Sequence, residues 1–204
     1  MQNVVAKCSR NLSYYHFETA MTIPTEAKVF RRTHGDLPRT VTQVTEPVPA
    51  PGDLGTHDVL IKIHAVSLNF RDVAMLNGRY PAEVEDEGIP CSDCAAEVVA
   101  IGSSVGDFAI GDMVAPIFDI EDFTGLEDDN CALGGSTAGV LREYAVYEDK
   151  LLVHLPKHLS WEEVSRRPGG AQYRREKHVK LGGTYWCYTG CHPYMRRRNG
   201  MDVS

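Results

Sequence analysis

The chain of 204 residues contains no run approaching the roughly 20 consecutive apolar residues that a membrane helix needs. Its opening residues, 1–20, mix Asn, Lys, Ser, Arg, His and Glu, so they lack the continuous apolar stretch of a signal peptide. A cytoplasmic protein with no membrane partner is the resulting expectation. Positive charge is also scarce. Against 28 acidic residues stand 21 Lys and Arg, a formal charge of −7, which gives no reason to propose a nucleic-acid partner. Cysteine is limited to six residues, which in a reducing compartment read as thiols rather than disulfides. No internal repeat is visible. With 43% hydrophobic residues, what remains is enough for one buried core, with or without an appendage.

Charge is divided unevenly along the chain. Residues 166–204 hold nine basic and two acidic side chains, whereas 1–165 hold twelve and twenty-six. Such a change of sign marks a boundary. The segment 166–204 is interrupted by Arg166-Arg167, Arg174-Arg175 and Arg196-Arg-Arg198, and its apolar residues follow neither helical nor strand spacing. It reads as a basic tail outside the fold, disordered or the product of a shifted reading frame. Tyr185-Trp-Cys-Tyr188 is encoded TAY-TGG-TGY-TAY; started on the last base of the Thr184 codon, the same bases give Leu, Ile or Val, then Leu-Val-Leu, the beginning of an apolar strand. At the other end, 1–26 reads as an N-terminal extension, with a second methionine at Met21.

Between these ends, short strands recur among Gly, Pro and Asp clusters, the pattern of a small barrel or sandwich. Residues 28–32 and 40–44 read as strands around a turn at His34-Gly35-Asp36, and 47–55 as a non-helical Pro/Gly loop. In 58–68 the odd positions Val59, Ile61, Ile63 and Ala65 are apolar while Lys62 and His64 face the other way, which predicts a half-buried strand. A short helix follows over 70–76, stopped by Asn77-Gly78. Six carboxylates fall within 119–129, without the spacing of a calcium loop, and read as a solvated surface.

The run Val59-Leu-Ile-Lys-Ile-His-Ala-Val-Ser-Leu-Asn-Phe-Arg-Asp72, with Tyr80-Pro81 behind it, resembles the N-terminal domain of medium-chain dehydrogenase/reductases, in particular their zinc-independent, quinone-oxidoreductase-like branch. Four further motifs keep that family's order: Ile89-Pro-Cys-Ser-Asp-Cys-Ala-Ala-Glu-Val-Val-Ala-Ile-Gly102, Ile110-Gly-Asp-Met-Val-Ala-Pro116, Gly139-Val-Leu-Arg-Glu-Tyr-Ala-Val-Tyr147 and the segment from Leu155-Pro to Ser165. The resemblance implies a mainly β fold over 27–165, a GroES-like partly open β-barrel with short helices, without the Rossmann cofactor domain. Gly169-Gly170 and Gly182-Gly183 lack the strand–turn–helix setting of a dinucleotide fingerprint, and 166–204 is too short for several βαβ units.

Zinc-using members place Cys after the first of these strands and a His-Glu pair at the start of the next. Here Asn69 and Ser92-Asp93 stand there, and amide and hydroxyl groups are poor zinc ligands. By resemblance Asn69 and Asp72 are the catalytic candidates, and Tyr80, Ser92 and Asp93 line the substrate pocket. Asn69 can orient a carbonyl or the nicotinamide amide without a metal; equally, Asn69 suits a helix cap with Asp72 in the first turn. Cys91-Ser-Asp-Cys94 has metal or redox spacing, with Cys187 and Cys191 as the only second pair, or else two small residues packed at a strand start.

The implied parent reaction passes a hydride from NADPH to a small quinone, enone or carbonyl acceptor, with a homodimer as the implied assembly. The isolated chain is expected to bind NADPH weakly and to be inactive. Two alternatives stand beside it: a non-catalytic fragment that pairs with full-length subunits, and a cysteine-based metal or redox module. Metal analysis of the purified chain tests the last. Zinc well below one equivalent is expected, whereas one tightly held zinc, lost on Cys91→Ser, would establish the metal module.

Overall fold

The computed structural model describes residues 22–120 and 132–165. The basic tail, residues 1–21 of the N-terminal extension, the acidic segment beyond Ile120, and Cys187 with Cys191 lie outside the described residues.

Strands β1 (Glu26–Arg32) and β2 (Val41–Pro47) form an antiparallel hairpin around the expected turn, where Gly35 takes φ 96°. β3 (Asp58–Ser67), β4 (Asp93–Ile101), β5 (Met113–Pro116), β6 (Tyr144–Glu148) and β7 (Leu152–His154) make a second sheet in the order β6-β3-β4-β5-β7. The sheet does not close on itself, so the barrel is open between β6 and β7. The hairpin joins it through the segment before β6, where Phe30 N–H donates to Leu141 O at 3.0 Å and Glu143 N–H to Lys28 O at 3.0 Å. The fold is mainly β, with helices α1 (Phe70–Leu76) and α2 (Trp161–Ser165).

Alternation along β3 holds only in part. Val59 and Ile61 enter the main core with Cys94, Val98, Val114 and Leu133, as the period requires. Leu60, on the opposite face, is also fully buried, against Ala27, Val48, Val99 and Ala100. Two irregularities in the β3–β4 register, at Leu60/Ile61 and Ile63/Ala65, break the strict period. Burial of each of these large side chains contributes about 1.5–3 kcal/mol. The Pro/Gly loop corrects one expectation: Pro51–Asp53 form a single 3-10 turn. Proline at a first helical position gives up an N–H that would have had no partner, so it starts such a turn readily.

Two motif strands are shorter than their sequence suggests. β4 begins only at Asp93, because residues 89–91 bond instead to 139–141: Gly139 N–H to Ile89 O at 2.8 Å and Val140 N–H to Cys91 O at 3.0 Å. The two backbones run so close that a side chain on Gly139 would overlap the carbonyl oxygens of Ile89, Pro90 and Cys91, the farthest only 2.6 Å from its Cβ. Cys91 itself holds φ 69°, a left-handed conformation uncommon outside glycine. β5 starts at Met113 because Gly111, at φ 88°, turns the chain just before it.

α2 is fixed to the back of the sheet. Ser160 and Glu163 cap it reciprocally, Val164 is buried with Ala95, Ala115 and Leu155, and Trp161 stacks on His64 of β3 at 4.3 Å between ring centroids.

Gly139→Ala is expected to destabilise the fold by about 3 kcal/mol or more, since the obstructing atoms are backbone and cannot rotate away. Urea unfolding measures it, and a loss under 1 kcal/mol (on the order of an ordinary surface change) would refute the close approach.

Candidate functional site

The last pair of the β3–β4 ladder sets the site. Ser67 lies opposite Asp93, so the turn leaving β3 delivers Asn69 to the start of β4. Asn69 adopts extended angles, φ −114° and ψ 160°, and is the N-cap of α1. Asp72 reaches back one turn, and its Oδ2 accepts the Asn69 N–H at 2.8 Å. The amide side chain of Asn69 donates across to Asp93 Oδ2. Asn69 thus caps α1 and at the same time ties the start of that helix to the start of β4.

Burial pushes the Asp93 carboxyl above the ordinary aspartate range, while the Asn69 hydrogen bond and the nearby Arg71 charge pull it down. Asp72 is buried too, and its Oδ1 has no hydrogen-bond partner among the described residues. Ser92 is 1% exposed, so it sits inside the start of β4 rather than on an opening. Tyr80 is half-buried and lies across Arg71 from this group, its ring centroid 5.4 Å from the guanidinium carbon. An open pocket of about 480 Å³ borders Tyr80, with Leu37, Arg39, Met75 and Val84 in its lining. Asn69, Asp72, Ser92 and Asp93 do not line it; Asn69, Asp72 and Asp93 are joined instead in a hydrogen-bonded group at the end of β3.

Two buried arginines escaped the sequence reading. Arg32, at the end of β1, is 2% exposed and donates to the carbonyls of Gly134 and Glu85. Burial lowers its pKa, and the Asp72 charge opposes that shift. Arg71, inside the quoted motif, donates through Nη1 to Leu133 O at 2.9 Å and lies between the rings of Tyr80 and Phe118. The available signal was position: a charged residue between Asn69 and Asp72, at the start of a helix that had to bury one side, stands where it must either point out or find oxygens within.

Cys91 and Cys94 are both buried at 1% exposure. Burial, with Asp72 adding to it, pushes the Cys91 thiol up to about 12, and burial raises Cys94 as well. Thiols held protonated in this way are poor nucleophiles, which argues against a redox role for this pair. Among the described residues no three His, Cys, Asp or Glu side chains converge as a metal site.

The shift at Asp93 has a sign that can be tested. Because its folded pKa is raised, the folded protein holds the proton more readily than the unfolded chain. Its contribution to stability is full below the ordinary value near pH 4 and is lost as pH rises through the elevated one. Asp93→Asn keeps an oxygen for Asn69 and removes that loss. The variant's stability relative to wild type is expected to increase between about pH 4 and pH 7, as read by urea melts; a difference constant with pH would contradict the raised value.

Residues 55–157 match the family model for the alcohol dehydrogenase GroES-like domain. A zinc-type alcohol dehydrogenase-like protein of Schizosaccharomyces pombe is 36% identical over 62% of this chain and 37% of its own length. A chloroplastic quinone oxidoreductase of Triphysaria versicolor is 36% identical over 61% of this chain and 33% of its own. This chain thus spans about a third of the length of these relatives. A crystal structure from Sinorhizobium meliloti, described as an alcohol dehydrogenase, superposes with a TM-score of 0.59 at 31% identity, covering 71% of this chain and 43% of that one. With its open sheet, its β3–α1 turn and its motifs in order, the chain belongs to the alcohol dehydrogenase GroES-like domain family, among the medium-chain dehydrogenase/reductases.

Proposed function

We propose that this chain is the catalytic-domain portion, over 27–165, of a cytoplasmic NADPH-dependent oxidoreductase that reduces a small quinone, enone or carbonyl compound without zinc. The observation that carries the reading is the Asn69–Asp93 hydrogen bond, which spends on one another the two groups positioned where zinc-using relatives hold metal. A site so arranged works by hydrogen bonding and charge, not by Lewis acidity.

A dehydrogenase of Sinorhizobium meliloti that shares this fold was solved with NADP bound. The residues here fit the nicotinamide end of such a cofactor: beside Asn69, the side chains of Leu68, Phe70 and Val73 are 74%, 87% and 56% exposed and offer an apolar surface for a flat ring. When bound, NADPH supplies the hydride. The chain's own part is to hold the acceptor and to meet the charge that develops on its oxygen. The described residues meet only the nicotinamide end of the cofactor, so this domain by itself holds NADPH weakly. The exposed apolar group at Leu68, Phe70 and Val73 also supports a second reading, in which the chain pairs with a full-length subunit.

Titration of the purified chain with NADPH is expected to show no saturable binding in the micromolar range. Fused to the cofactor domain of a family relative, it is expected to oxidise NADPH with an enone, and Asn69→Ala to lower kcat/KM about a hundredfold. Turnover by the unmodified chain would overturn the fragment reading, and a fused enzyme indifferent to Asn69→Ala would overturn the assigned site.

A further inference from the structure

Among the buried charges, Arg71 is the one whose surroundings leave it most incomplete. It is 9% exposed, and only Nη1 has an oxygen partner, at Leu133. Its Nε and Nη2 are buried with no hydrogen-bond partner among the described residues. No described carboxylate forms an ion pair with it, and the nearest in sequence, Asp72, has turned Oδ2 to the Asn69 N–H. The guanidinium carbon is instead 5.4 Å from the Tyr80 ring centroid and 4.9 Å from that of Phe118.

Aromatic faces stabilise a cation but accept no strong hydrogen bonds, so the fork is left with donors to spare. A buried donor left without an acceptor is costly, so these two call for an oxygen from outside the described residues, a water or the oxygen of a bound guest. Nη2 lies beside Gly135, where a Cβ would stand 3.4 Å from it.

We propose that Arg71 binds the ligand's oxygen: its Nε and Nη2 receive the carbonyl oxygen of a flat, conjugated acceptor, or the enolate oxygen that forms on reduction, with the rings of Tyr80 and Phe118 against the ligand plane. This assignment rests on the oxidoreductase reading and names the group in that site that meets the developing charge. Asn69 works beside it with what remains, since one amide hydrogen goes to Asp93 and only the other is left to offer. A planar cation with two adjacent donors matches such an oxygen better than a single amide hydrogen does. Entry requires one of the rings to swing aside, a rotamer change of the kind common on binding.

Benzoate, a flat oxyanion, stands in for the enolate and needs no NADPH, so its failure to bind would count against Arg71 while leaving the oxidoreductase reading to its own assay. In NMR titrations of the full chain, the Arg71 Nε–H signal and the ring signals of Tyr80 and Phe118 are expected to shift saturably with benzoate. Arg71→Met keeps the bulk and removes the donors, and should raise the dissociation constant about tenfold or more; Arg71→Lys should fall between the two. A silent Arg71 signal, or binding unchanged in Arg71→Met, would overturn the proposal. Should that variant fail to fold, the wild-type Nε–H response alone decides.

Discussion

The pairing of β3 with β4 is the constraint from which the remainder of the molecule follows. Both strands are covered on both faces near Leu60 and Ala100, so a slip of one residue would move side chains between two separate cores at once. With that register fixed, Ser67 ends opposite Asp93, and the first residues after β3 can only arrive beside the beginning of β4. The site is therefore a by-product of sheet register. Asn69 and Asp93, 24 positions apart, meet because a ladder between them has nowhere else to stop.

Around this ladder the protein buries two arginines whose oxygen partners are backbone carbonyls, while Arg32 Nε and Arg71 Nε and Nη2 have no partner among the described residues. Arg71 binds Leu133 O and Arg32 binds Gly134 O, so consecutive carbonyls of one turn are gripped from opposite elements. Gly134 takes φ 71° there, presenting the two oxygens in a way that most residues would resist. Buried cations are expensive to desolvate, and carbonyl dipoles offset only part of the cost. The arrangement ties the entry to α1, the end of β1 and the turn at 132–135 into one unit, so a disturbance at any of the three reaches the others.

Much of this was legible in the chain. Helix 70–76 and its stop at Asn77-Gly78 agree with α1 to the residue, because cap, period and breaker all point to the same span. The five motifs in order carried the family and its mainly β fold. What the sequence could not disclose were features created by contact at long range. The bulges in β3, the second burial of Leu60, and the late start of β4 all arise from neighbours distant in the chain, to which a period of two is blind. The buried arginines were hidden for a related reason: charge in a sequence reads as surface until the carbonyls that receive it are located.

Cys94 offers an unplanned measuring device. It faces the main core from the second position of β4, the strand that both halves of the sheet share. No reagent can arrive at its sulfur while β4 remains between β3 and β5, and the protonated thiol would not react if one did. Alkylation at that atom must wait for the sheet to come apart and proceeds in the brief interval before it closes. The pace of labelling at Cys94 would thus report the fraction of time the fold stands open, a gauge placed in the middle strand of the larger sheet.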